Sequence, residues 1–126
     1  MKSLIIAISI AALIVFGGIY STEKLTDLSE TLIQLCEKAG EAINDDDFKT
    51  AGELTEEMEK RVEDNYNIFA VSIDHNEIDE IEKNIYQMQV YVHEKQKADA
   101  LAYGNVLIGL FEKLPKDYRL RLENIL

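Results

Sequence analysis

The chain has 126 residues, of which 24 are acidic and 13 basic, giving a formal net charge of −11; it contains one proline, one cysteine and no tryptophan. A surface this acidic repels phosphate backbones, so nucleic acid is excluded as a partner of its main face. One cysteine excludes an intrachain disulfide, and the length suits one domain around a single core.

The first predicted element is the apolar run Leu4 to Tyr20, LIIAISIAALIVFGGIY, which holds no Asp, Glu, Lys, Arg or His. At about 1.5 Å per residue it reaches roughly 25 Å, the short end of what a bilayer core needs. Lys2 supplies a positive flank. The expectation is therefore a single-pass anchor in the cytoplasmic membrane, with the N-terminus inside, the C-terminal domain outside and lipid as the partner of residues 4–20. A cleaved secretory signal, which would release the domain, is the alternative, although Val15 and Ile19 fall where a cleavage site wants small side chains. Ser3, Ala7 and Ala11 recur every four residues, a spacing that lets two such helices approach and raises a homodimer through the anchor. The chain divides into residues 1–21, anchor or signal, and residues 22–126, an extracytoplasmic helical domain.

From Thr22 to Ile43 the apolar residues Leu25, Leu28, Leu32, Leu35 and Ala39 follow the three-four alternation of one helix face. Nothing interrupts the chain between Tyr20 and Thr22, so anchor and first bundle helix should be continuous. Cys36 lies beside this face, half-buried or bridging to a second copy. Asn44-Asp45-Asp46-Asp47 resembles the opening of a calcium loop, but Lys49 and Thr50 occupy the places of a ligand and the turn glycine. The four residues read instead as the end of one helix and the cap of the next.

The second helix carries Phe48, Ala51, Leu54, Met58, Val62, Tyr66, Phe69 and Ile73 inward, with Asn65-Tyr66-Asn67 marking a bend. Its other face, with Glu53, Glu56, Glu57, Glu59 and Glu63, is a solvated surface or a dock for a basic partner. Asp74 and Glu77 have the spacing of a capping box and open a third helix with Ile78, Ile81, Ile85, Met88 and Val92 inward. His75, Asp79 and Glu82 share one side of it and are the weak candidates for a metal site. No Glu-x-x-His pair stands anywhere to support one. His93 suits the helix C-terminus. After a turn near Glu94 to Ala98, the last long helix turns Leu101, Gly104, Leu107, Ile108, Phe111 and Leu114 inward and should end at Pro115. A short C-terminal helix with Tyr118, Leu122 and Ile125 follows.

The expected fold class is all-α: an N-terminal transmembrane helix continuing into an up-down four-helix bundle with a short C-terminal helix. Residues 97–123 are the only segment with positive net charge, through Lys113, Lys116, Arg119 and Arg121. The topology returns them to the membrane side, where they would contact anionic lipid or a neighbouring protein. No catalytic residues and no cofactor are expected, since no serine, threonine or cysteine stands in a nucleophile arrangement.

The pattern resembles the bacterial family of domain of unknown function 4363, found mainly in clostridia and relatives. The resemblance rests on the short apolar N-terminus, the Asp74-His75-Asn76-Glu77-Ile78-Asp79 segment, the leucine-rich last helix and the Asn124-Ile125-Leu126 ending. Members often carry tryptophans in the second helix, where this chain has Tyr66 and Phe69. The resemblance implies a membrane-anchored helical protein with no assigned activity, encoded beside multi-pass membrane proteins. The functional expectation is thus a non-enzymatic accessory or interaction protein with a membrane-protein partner. The alternative is a metal-binding or ligand-sensing bundle using His75, Asp79 and Glu82.

Overall fold

The computed structural model describes the backbone of residues 2–125; the side chains of residues 17–22, 121, 122 and 125 lie outside the description, and with them the expectations for Tyr20, Arg121, Leu122 and Ile125. The described elements are helices α1 (Lys2–Asn44), α2 (Phe48–Asp64), α3 (Tyr66–Ser72), α4 (His75–His93) and α5 (Lys97–Ile125). α1 packs on α2 and α5, and α4 closes the ring by packing on the same two. Four rods result, each antiparallel to its neighbour in the chain, with α3 extending the second rod beyond a break.

The seam of α1 is Leu25, Leu28, Leu32, Cys36, Ala39 and Ile43, all buried. After Leu32 it steps by four, so Cys36 is only 2% exposed and Leu35, expected inward, is partly buried at the margin. α2 turns Ala51, Thr55, Met58 and Val62 inward. Asn65 then ends it: the side-chain amide donates to the Arg61 carbonyl at 2.8 Å, competing with the helical bond at that position. The break resets the phase. Phe69 becomes core, while Tyr66, expected inward, is 38% exposed.

Two tight turns close the end of the bundle that holds the α1–α2 and α4–α5 connections. Asp46 and Lys95 adopt positive φ, 59° and 57°. Asp46 N–H donates to Ile43 and Asp47 N–H to Ala42, and Lys95 and Gln96 repeat the pattern on Val92 and Tyr91. These are paired Schellman closures built without glycine. Asp47 caps α2 by accepting from the Thr50 N–H at 3.2 Å. Hydrogen bonds from Thr50 hold the Asp47 carboxyl below the ordinary range, so the cap is formed above that range and weakens as pH falls through the lowered value. Lys97 Nζ donates to the Asn44 carbonyl at 3.0 Å, tying the start of α5 to the end of α1.

Pro115 does not end the last helix, which runs through it to Ile125 as one rod rather than as a helix and a short tail. Proline has no N–H for the carbonyl four residues back, here Phe111. Ser29 on α1 supplies the missing donor: its hydroxyl donates to the Phe111 carbonyl in the buried interface. The sequence rule fails because a neighbouring helix satisfies the acceptor that proline leaves open. This contact and the Lys97 bond at the other end fix α1 and α5 antiparallel over the whole bundle.

The single-pass localisation is also overturned. Among the described residues no helix is long and apolar enough to cross a membrane. The described part of the run, Leu4 to Phe16, covers roughly 20 Å at 1.5 Å per residue, against a hydrocarbon core of about 30 Å. What the structure has there is the exposed first part of α1, an arm beyond the packed bundle.

Ser29→Ala strands the Phe111 carbonyl and should destabilise the bundle by about 1–3 kcal/mol in urea melts. Pro115→Ala restores an N–H at that position, so in its background Ser29→Ala should cost clearly less. Additive costs in the double-mutant cycle would refute the substitution of one donor for the other.

Candidate functional site

The expected metal candidates are all exposed. His75 is the first residue of α4, and Asp79 and Glu82 follow along the exposed face. Among the described residues no group of three His, Cys, Asp or Glu side chains could hold a metal ion. Asp74 occupies the N-cap position of α4 with extended backbone, and Glu77 the first turn, its N–H on the Asp74 carbonyl at 3.0 Å. His93 closes the last turn of α4.

Cys36 is buried against Met58, with the two sulfur atoms 3.3 Å apart. Burial, helped by the nearby Glu37 carboxylate, pushes its pKa from 9.0 up to about 12. A thiol in that state is neither a nucleophile nor a surface for joining two copies. Bridging through it would require α1 and α2 to separate.

The expected basic cluster is exposed at Lys113, Lys116 and Arg119, with Arg121 outside the described side chains. Because α5 runs antiparallel to α1, the cluster stands at the end of the bundle from which the arm emerges. It is not purely positive. Lys113 shares a groove of about 150 Å³ with Glu77, Glu80 and Asp117, and those carboxylates offset part of its field.

Two features stand out, an apolar arm that the sequence marked and a groove that it did not. The arm exposes nine large apolar residues between Leu4 and Phe16, each by 46–73%. A groove runs between α2 and α4, opening to about 490 Å³ beside Phe48, Gly52, Thr55 and Val92, and to about 130 Å³ beside Glu59, Glu63, Glu82 and Tyr86. Gln89 crosses it, donating to the Glu59 carboxylate at 2.7 Å and to the Thr55 carbonyl at 3.4 Å. Tyr86, 62% exposed, stands at its lip. The Glu run on α2 signalled one rim; the position of Tyr86 beside inward Ile85 signalled the other only once the helix phase was known.

The described molecule is thus an acidic all-α bundle with an apolar helical arm and shallow grooves. The chain belongs to the family of domain of unknown function DUF4363, whose model matches residues 19–125. The matched segment takes in the bundle and begins beyond the exposed apolar residues of the arm. No curated protein and no solved structure shows a significant match.

The burial of Cys36 has a measurable consequence. Below pH 9 the thiol is protonated in both states; between about 9 and 12 the unfolded chain releases the proton and the folded chain keeps it, so stability falls as pH rises through that window. The urea midpoint of the native chain should drop more steeply from pH 8 to pH 10.5 than that of Cys36→Ala, the difference isolating this group from the lysines and tyrosines. Equal slopes would show a solvated thiol.

Proposed function

We propose that this chain is a non-enzymatic accessory module that works by binding another protein, with its N-terminal arm as the engaging element. The observation that carries the reading is the distribution of exposed apolar side chains: Leu4, Ile5, Ile6, Ile8, Ile10, Leu13, Ile14, Val15 and Phe16 surround the helix. An ordinary surface helix is apolar on one stripe, whereas a helix apolar on all sides calls for burial on all sides. Pairing two arms would cover one stripe of each and leave the rest in water. The partner is therefore a protein whose own apolar helices enclose the arm, as the helices of a membrane protein can. Burying a Leu or Ile side chain contributes roughly 1.5–3 kcal/mol, so a few fully enclosed positions offset the cost of association.

Two further observations support binding over catalysis. The strongly perturbed Cys36 thiol is sealed in the core. The candidate residues His75, Asp79 and Glu82 are exposed, and only Glu82 lines a described groove.

A photo-crosslinking amino acid at Leu13, incorporated in the native host, tests the reading against the same reagent at Glu30 on the bundle. One discrete adduct with a multi-helix protein from position 13, absent from position 30 and lost on replacing Ile6, Ile10 and Ile14 by Ser, is the expected result. A diffuse smear, or adducts of the chain with itself alone, would remove the arm as the recognition element. The serine variants should melt within about 0.5 kcal/mol of the native chain, because the replaced residues lie outside the bundle core.

A further inference from the structure

We infer that the groove between α2 and α4 is a docking site for a basic amphipathic helix of a partner protein, distinct from whatever encloses the arm. Its α2 rim is a continuous ridge of carboxylates. Glu53, Glu56, Glu59 and Glu63 recur at three- and four-residue intervals, and all are exposed. Glu82 adds a fifth from α4, and Lys49 is the one lysine or arginine lining the described groove, with His93 beside it. From Phe48 to Glu63 the groove follows α2 for roughly 22 Å, the length of a four-turn helix. The apolar anchors are Tyr86 at one end and the partly buried Phe48 at the other.

The chemistry of the occupant follows from charge and shape together. Cations spaced i, i+3 or i+4, i+7 on a helix face meet the ridge carboxylates, while an apolar residue between them packs on the Tyr86 ring. Gln89 spans the floor with its amide and binds Glu59 and Thr55; the exposed Glu59 carboxylate remains open to a lysine or arginine from the partner. An acidic or neutral helix would place its own surface against five carboxylates with no compensation. A second copy of this chain is a poorer occupant. It carries the same net charge of −11, and its basic stretch at Lys113, Lys116 and Arg119 is shared with Glu77, Glu80 and Asp117.

The test uses the full chain and two fluorescent 18-residue helical peptides with identical leucine faces, one with lysine and one with glutamate on the polar face. Anisotropy should show salt-sensitive binding of the lysine peptide only. The triple variant Glu53→Gln/Glu56→Gln/Glu63→Gln should weaken it by about tenfold or more, and the single reversal Glu56→Lys should act in the same direction with less disturbance to the bundle. The control Glu30→Gln/Glu37→Gln/Glu41→Gln removes equal charge from α1 and should leave affinity within about twofold. Equal binding of both peptides would assign the interaction to the leucine face and the arm, and overturn the groove while leaving the arm reading intact. Equal weakening by the α1 control would reduce the effect to net charge and overturn it as well, as would self-association that the lysine peptide does not displace.

Discussion

The fold depends on one buried hydrogen bond that crosses from the first helix to the last. Pro115 withholds the N–H that the Phe111 carbonyl would ordinarily receive, and the Ser29 hydroxyl provides it. A buried carbonyl left without a donor costs about as much as the whole margin contributed by one well-packed core side chain. The bond therefore does more than join two helices. It permits α5 to continue beyond Pro115, burying Tyr118 and carrying Lys116 and Arg119 to the end of the bundle where the arm begins. It also sets the register of α1 against α5, because serine can reach that one carbonyl from one turn only.

At the opposite end the constraint is on the turns. Asp46 and Lys95 accept the left-handed conformation that glycine would take more easily, and each is held there by two backbone hydrogen bonds into the preceding helix. The two turns lie side by side, and Lys97 links them by bonding the Asn44 carbonyl and reaching the Asp46 carboxylate at 3.4 Å. A bundle clamped at both ends has little freedom to slide its helices. A static scaffold that displays surfaces is consistent with that build; a sensor that works by helix displacement is less so.

The spacing of Leu25, Leu28, Leu32, Ile78, Ile81, Ile85, Met88, Leu107, Phe111 and Leu114 in the sequence was sufficient to place four rods and most of the core, and the structure buries every one of these residues. Periodicity works for them because each obeys a local rule. It fails where satisfaction comes from another element: nothing near Pro115 announces that Ser29, far back in the chain, will serve Phe111. The exchange of Cys36 for Leu35 in the seam, and of Tyr66 for solvent, turned on a phase shift of one residue, which a three-four pattern with small or polar neighbours leaves ambiguous. The apolar run at the N-terminus was read as a span from its composition, its positive flank and a length at the short end of what a bilayer core needs. The groove between α2 and α4 was half legible, its glutamates visible as a run, its Tyr86 and Gln89 unremarkable until the two helices faced each other.

Charge explains why the molecule's adhesive parts point to unlike partners. Beyond Lys2 the chain is strongly negative, with half of that charge on α2 and α4 and the rest mainly on the bundle part of α1 and the Asp45–Asp47 turn. Two bundles brought side by side by parallel pairing of their arms would face each other with like charge, a repulsion that salt screens only beyond about 8 Å at physiological ionic strength. The apolar arm favours association of any kind; the acidic bundle selects against a second copy and in favour of a surface that is neutral or basic. Apolar enclosure supplies affinity without choosing a partner, and the carboxylate ridge supplies choice with little affinity of its own. On the proposed reading, a chain that divides the two tasks between an arm and a groove can hold one partner by both, or join two different ones.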